Sequence, residues 1–253
     1  MSGSLQGRHA LVTGGGRGIG RACALALAAQ GADVTVVART EDDLRSAAAE
    51  AAERGLAGTL HPCPLDVRDA AAMERAVAEA DARAPLDILV ASAGTNRPGP
   101  TVDLSLDDFD LVLDLNVRAT FVAARAFGRA LLAAGRPGRA ILMSSQMGAV
   151  GYPGRAAYCA SKHAVNGLAK ALAVEWAPSG ITVNAVAPTF ILTPMTERMF
   201  DDPAFSADVM GRIPAGRLGT LDDVAAAVLY LASDAAGMVT GHVLAVDGGW
   251  TAW

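Results

Sequence analysis

His9 to Gly31, HALVTGGGRGIGRACALALAAQG, is the stretch from which the fold can be read. HALVT is a short unbroken apolar run bounded by glycine, the pattern of a strand covered on both faces. RACALALAAQG carries apolar residues at helical spacing and stops at Gly31, the residue type that most readily ends a helix. Between them lie more glycines than a tight turn needs. The stretch therefore reads strand, glycine turn, helix.

The same alternation runs outward from it. Strands are expected at 33–38, 59–64, 86–91, 139–144, 182–186 and 242–247, and helices at 41–54, 69–83, 106–134, 157–178 and 221–233. Strands separated by helical stretches imply an α/β fold, a parallel sheet covered on both faces. No linker or repeat divides the 253 residues, and 52% apolar content is ample for one core, so residues 1–253 are expected to form a single domain. Between Pro188 and Gly219 the pattern breaks, with three Met, three Phe and four Pro. An excursion of that length is usually functional, and residues 189–218 are expected to form a substrate lid.

Composition excludes several classes. The net charge of −5 and the scattered arginines argue against nucleic acid or an anionic membrane as partner. Cys23, Cys63 and Cys159 form no CxxC pair, which suits a reducing, cytoplasmic setting. No run is long and apolar enough for a signal peptide or a membrane span. No cluster has metal-ligand spacing, so no metal is expected.

The chemistry is concentrated in Ser145 to Lys162, SQMGAVGYPGRAAYCASK. Tyr158 and Lys162 are four apart and share one face of a helix. With three Tyr and two Lys in the chain, about 0.02 accidental Tyr-x-x-x-Lys matches are expected. Nineteen Arg stand elsewhere, yet this position is Lys, a compact charge that can approach a phenol and a ribose together. Bringing a phenol from a pKa of ~10 to ~7 takes about 4 kcal/mol. An exposed ion pair supplies only ~0–1 kcal/mol. An acidified Tyr158 therefore needs a partly dry site.

The glycine turn, Thr13-Gly14-x-x-x-Gly18-x-Gly20 with Gly16, Arg17 and Ile19 inside it, is close to the dinucleotide fingerprint without matching its strict spacing. Joining the first strand to the first helix, it would bring a pyrophosphate to backbone N–H groups at the positive helix end. An NAD site usually has an acidic residue near the end of the second strand. Here Ala38 and Arg39 stand there. Arg39, with Arg17, is suited to a 2′-phosphate, so NADP(H) is expected in preference to NAD(H). A solvated loop arginine remains the plain alternative for Arg39.

Taken together, the residues resemble the short-chain dehydrogenase/reductase family from about Leu5 to Trp250. The resemblance rests on TGGGRGIG at 13–20, LDV at 65–67, ASAG at 91–94, LNV at 115–117, SSQMG at 144–148, YCASK at 158–162, VNAVAP at 183–188 and VDGGW at 246–250. It implies a Rossmann-type doubly wound sheet of seven parallel strands and a catalytic set of Asn116, Ser145, Tyr158 and Lys162. It also implies that Asp66 and Val67 meet the adenine, that Ala93 and Gly94 pass beneath the ribose, and that Ile191 and Thr193 touch the nicotinamide side. Asn116 would hold a water, and Lys162 would fasten the ribose. The reaction implied joins a secondary alcohol and a ketone, on a 3-oxoacyl thioester or a sugar or polyol. A homotetramer is the family expectation, with Leu168, Leu172 and Trp176 as interface candidates. Two residues depart from the family pattern: Ser92 replaces Asn and Thr189 replaces Gly.

Other readings fare worse. Ser145 is not in a GxSxG elbow, which disfavours a serine hydrolase. A nucleotide-sensing protein that lost its reaction would have little reason to keep Ser145, Tyr158 and Lys162. An NAD-dependent sugar dehydrogenase stays as the nearest alternative. Asn96, Arg97 and residues 151–155 would shape the substrate pocket. Arg97 and Arg155 are each suited to a carboxylate or phosphate, although a solvated surface position is the plainer expectation for both.

Overall fold

The alternation of strand and helix builds one seven-stranded sheet, seen in a computed structural model that describes residues 5–193 and 196–252, with the backbone alone at Arg198. The strands are β1 (His9–Thr13), β2 (Asp33–Ala38), β3 (Leu60–Pro64), β4 (Ile88–Ala91), β5 (Gly138–Met143), β6 (Ile181–Pro188) and β7 (Val243–Val246). Their order is β3-β2-β1-β4-β5-β6-β7, and every pairing is parallel. This is the Rossmann-type doubly wound arrangement.

Side-chain alternation along each strand feeds two cores. On β1, Leu11 joins the layer that holds Met73, Phe127, Leu131, Val165 and Trp176. Its neighbours Ala10 and Val12 join the opposite layer with Cys23, Leu27, Leu44, Val224 and Leu231. The first layer is covered by α3 (Ala70–Arg83), α5 (Ala119–Ala134) and α6 (Ala156–Trp176). The second is covered by α1 (Gly18–Ala29), α2 (Glu41–Glu53) and α8 (Leu221–Ala232). A fully buried side chain such as Phe127 contributes roughly 1.5–3 kcal/mol to each such layer.

Three differences from the sequence reading have local causes. β4 begins at Ile88 rather than Leu86, because the Leu86 N–H is taken by the Asp81 carboxylate at 2.8 Å. The helical stretch at 106–134 is α4 (Leu106–Leu113) and α5 joined by a wide helical turn at Asp114–Arg118, a device often found at functional sites. The expected lid contains a helix that the sequence did not suggest, α7 (Pro203–Gly211). Asp202 caps it by accepting from the Ala204 and Phe205 N–H groups, and Pro203 occupies its first position, where a missing N–H costs nothing. Pro194 and Met195, which fall within the expected lid, lie outside the described residues.

The interface candidates need correction. Leu172 and Trp176 are buried inside this chain, 7% and 5% exposed, and Leu168 packs against the same cluster. The cause is Gly128 on α5: a Cβ there would lie 2.5 Å from the Trp176 ring, so the missing side chain is the socket for the indole.

Candidate active site

The sheet order reverses between β1 and β4, and open parallel sheets bind ligands in the crevice beyond such a reversal. Thr13 braces the two strand ends. Its Oγ1 accepts from the Ser92 and Ala93 N–H groups at 3.1 and 3.2 Å, which ties the chain past β4 to β1 whatever side chain position 92 carries. Gly14 follows with φ +71, and a Cβ on it would stand 3.0 Å from the Ala93 Cα. Glycine is needed there on both counts. Beyond it, α1 begins with no side-chain cap at Arg17 and no acidic residue in its first turn, so an anion meets its backbone N–H groups without competition.

Around this crevice the nucleotide candidates fall into two groups. Arg17 and Arg39 are exposed, and neither guanidinium makes a hydrogen bond or ion pair with a described residue. Asp66 is engaged by Arg68, which donates to it from the side chain and from the backbone N–H and holds its carboxyl below the ordinary range, with a smaller contribution from the Arg39 charge. Asp66 is thus no helix cap; that position belongs to Asp69. Val67 and Ile191 are buried, and Ile191 bridges to Gly219. The Thr193 N–H donates to Thr196 Oγ1, which in turn donates to the Ile191 carbonyl.

On α6, Tyr158 and Lys162 stand together. Lys162 is 5% exposed, its Nζ donates to the Met143 carbonyl at the end of β5 at 2.7 Å, and it lies 5.5 Å from the centroid of the Tyr158 ring. Gly94 passes beside this ammonium, where a Cβ would come within 3.9 Å of Nζ and 3.1 Å of Asn116 Oδ1. Asn116, in the wide turn, is held at both ends of its amide: Oδ1 accepts from the Thr95 N–H, and Nδ2 donates to the Thr95 carbonyl and to Ser161 Oγ. Ser161 donates in turn to the Tyr158 carbonyl, coupling that turn to α6. A water at Asn116 has two acceptors to use, Oδ1 and the backbone carbonyl that accepts from Thr120 Oγ1, since each oxygen carries a second lone pair.

Ser145 is buried and accepts from the Met147 N–H while donating to Gln146 Oε1 at 2.7 Å. Ser144 is turned away, donating to the Lys162 carbonyl. Thr189 fits in the place of the family glycine because its own φ is not positive, so the backbone does not require one. Its hydroxyl is buried and has no partner among the described residues.

The chain's own groups do not acidify the phenol. Burial pushes Tyr158 above the usual phenol value, and the opposing hydrogen bond with Ser145 and charge of Arg155 do not overcome it. Burial also pulls Lys162 down to about 8. A site dry enough to strengthen an ion pair also penalises each charge, and Lys162 gives its hydrogen bond to a carbonyl. Proton transfer at neutral pH thus calls for a further cation in the crevice.

The family model described as enoyl-(acyl carrier protein) reductase, a short-chain dehydrogenase/reductase model, matches residues 14–251. The chain belongs to the short-chain dehydrogenase/reductase family. It is 42% identical to D-threitol dehydrogenase of Mycolicibacterium smegmatis, over 98% of this chain and 94% of that protein. It is 43% identical to the L-tagatose-forming galactitol 2-dehydrogenase of Cereibacter sphaeroides, over 98% and 97%. A gluconate 5-dehydrogenase of Burkholderia cenocepacia, solved in complex with NADP and tartrate, superimposes with a TM-score of 0.92 at 36% identity, over 100% of this chain and 98% of that one. Members of this family carry out NAD(P)-dependent alcohol–ketone oxidoreduction, and this chain is an enzyme of that kind. No described helix is long and apolar enough to cross a membrane.

Sequence reasoning passed over Thr13, Gln146 and Ser161. Each is a polar residue whose role depends on a partner contributed by the fold, and only the Thr-Gly and Ser-Gln adjacency was visible beforehand.

Proposed function

We propose that the protein is an NADP(H)-dependent dehydrogenase that interconverts a secondary alcohol of a sugar, polyol or sugar acid with its ketone, using Tyr158 as general acid/base. The observation that carries this reading is the convergence of Ser145, Tyr158 and Lys162 beside the crevice where the sheet order reverses. The relatives named for threitol, galactitol and gluconate favour such substrates over the 3-oxoacyl thioester that the sequence left open.

When bound, the nicotinamide supplies the hydride acceptor or donor. The backbone of Gly14, Gly16, Arg17, Gly18 and Ile19 holds the pyrophosphate, and Arg17 and Arg39 take the 2′-phosphate. Their freedom from other partners and the NADP in the gluconate dehydrogenase support this assignment. Asp66 and Val67 border the adenine, Ala93 and Gly94 underlie the ribose, and Ile191 and Thr193 border the nicotinamide. Lys162 fastens the ribose and biases the phenol. Ser145 orients the reacting oxygen, Tyr158 takes or gives its proton, and Asn116 anchors the proton path outward. The segment 189–218 acts as the lid: Phe190, Phe200 and Phe205 stack in one aromatic cluster with Tyr152 and Trp250, which excludes water.

The reading extends to a cytoplasmic homotetramer. Its contact would use the outer face of α6, where Ala164, Gly167, Ala171 and Val174 are exposed, Val174 by 81%. A monomeric sedimentation mass contradicts that part. For the activity, NADP⁺ reduction is followed with threitol, galactitol and gluconate. Turnover is expected with the wild type, and Tyr158→Phe should abolish it while NADPH binding stays measurable. Substantial hydride transfer in that variant removes Tyr158 from its role.

A further inference from the structure

Arg97 and Arg155 look alike in the sequence, and the fold separates them. Arg97 is exposed and its Nε donates to Asp108 at 3.0 Å, an ordinary surface ion pair. Arg155 is 9% exposed, in the turn entering α6, three residues before Tyr158. Among the described residues no carboxylate pairs with it. Its hydrogen bond is from Nη1 to the Gly154 carbonyl at 3.2 Å, and that carbonyl also accepts from the Gly99 N–H at 3.1 Å. Gly154 has φ +68, and a Cβ on it would lie 3.3 Å from the Gly99 oxygen, so the turn is held against the loop after β4. The ionisable groups that face the guanidinium are Tyr152, Tyr158 and Cys159. None is a carboxylate.

A guanidinium does not give up its proton in a protein, and burying one without an anion is strongly unfavourable. Arg155 is therefore not accounted for by a structural ion pair. It stands beside the proton-transfer residue and near Tyr152, whose ring joins the aromatic cluster with Phe190 and Trp250, and the apolar bulk of that cluster strengthens any charge pair formed there. A neutral polyol brings no charge to such a place. A sugar acid does, and its planar carboxylate matches the guanidinium fork.

We propose that Arg155 receives the carboxylate of a hydroxy-acid substrate, so that the enzyme acts on sugar acids in preference to neutral polyols of the same length. This rests on the dehydrogenase reading above and names the substrate class within it. In the step itself the carbinol C–H leaves as hydride to NADP⁺ and the O–H proton goes to Tyr158. The products are the keto acid, NADPH and one proton, and the carboxylate is unchanged.

The test compares kcat/KM on a panel of aldonates with the alditols of matching chain length, for the wild type, Arg155→Met and Arg155→Lys. The wild type is expected to prefer the acids. Arg155→Met should lose at least about 30-fold on them, chiefly through KM. That loss should exceed its loss on the alditols by about tenfold or more, and Arg155→Lys should recover part of it. Equal losses on both classes, or a wild type that prefers alditols, overturn the proposal. Should Arg155→Met not fold, tartrate serves as a probe. It should compete with substrate in the wild type and more weakly in Arg155→Lys, and failure to compete overturns the proposal. A wild type that oxidises alditols alone sinks only the role of Arg155, whereas one that oxidises neither class with either nucleotide sinks the dehydrogenase reading as well.

Discussion

Lys162 Nζ lies 5.5 Å from the centroid of the Tyr158 ring and directs its hydrogen bond to the Met143 carbonyl instead of the phenol. Burial leaves Tyr158 above the usual phenol value. With Tyr158 as the base, the rate of alcohol oxidation should climb with pH by about tenfold per unit until the pKa of the phenol in the nucleotide complex is reached. Ketone reduction needs it protonated and should stay level over the same range, falling only at higher pH. Steady-state profiles in both directions check this, and an oxidation rate that nowhere rises with pH contradicts it.

The buried ammonium costs stability. Its fall from 10.5 to about 8 corresponds to roughly 3 kcal/mol at neutral pH. Losing the bond to Met143 offsets about 1 kcal/mol of any gain from its removal. Lys162→Met should thus be inactive yet about 2 kcal/mol more stable without cofactor. The folded pKa is depressed, so the penalty is complete below pH 8 and fades as pH rises towards 10.5, the unfolded value. Urea denaturation should show the difference between variant and wild type shrinking from pH 7 to pH 9.5. A difference that grows would refute the assignment.

Arg39 is exposed and unpaired among the described residues, beside the end of β2. Losing a charge-assisted bond to a 2′-phosphate typically weakens binding by about 10- to 100-fold. Arg39→Asp should therefore weaken NADPH by at least that much and leave NADH little changed, as read by titration of nucleotide fluorescence. An unaltered ratio of the two affinities excludes Arg39 from nucleotide choice.

Trp176 fills the space left by Gly128. Trp176→Ala should cost about 3–5 kcal/mol, the loss expected for a large buried aromatic. Because its ring is covered by its own chain, the sedimentation mass of the folded variant should equal that of the wild type. A variant with normal stability and a smaller mass would return Trp176 to an interface.

Much of the fold was legible because its signals are local. The apolar run HALVT, the glycines after it and the alternating segments downstream depend on residues a few positions apart, and they correspond to β1, α1 and the sheet that follows. Helix α7 was missed because its apolar residues show no single face; its surest sign, Asp202-Pro203, is a capping pair without an amphipathic pattern behind it.

By itself, then, the sequence determined the order of elements, the glycine turn between β1 and α1, and the placement of Tyr158 one helical turn from Lys162, since backbone geometry over a few residues decides each of these. Tertiary structure alone decided that Trp176 faces inward, that Thr13 holds Ala93, and that Arg155 is buried without an acid while Arg97 is paired in solvent. Exposure and partnership are set by whatever distant segment packs against a residue, here Gly128 beneath the indole and Gly99 against Gly154, and no spacing along the chain records those contacts.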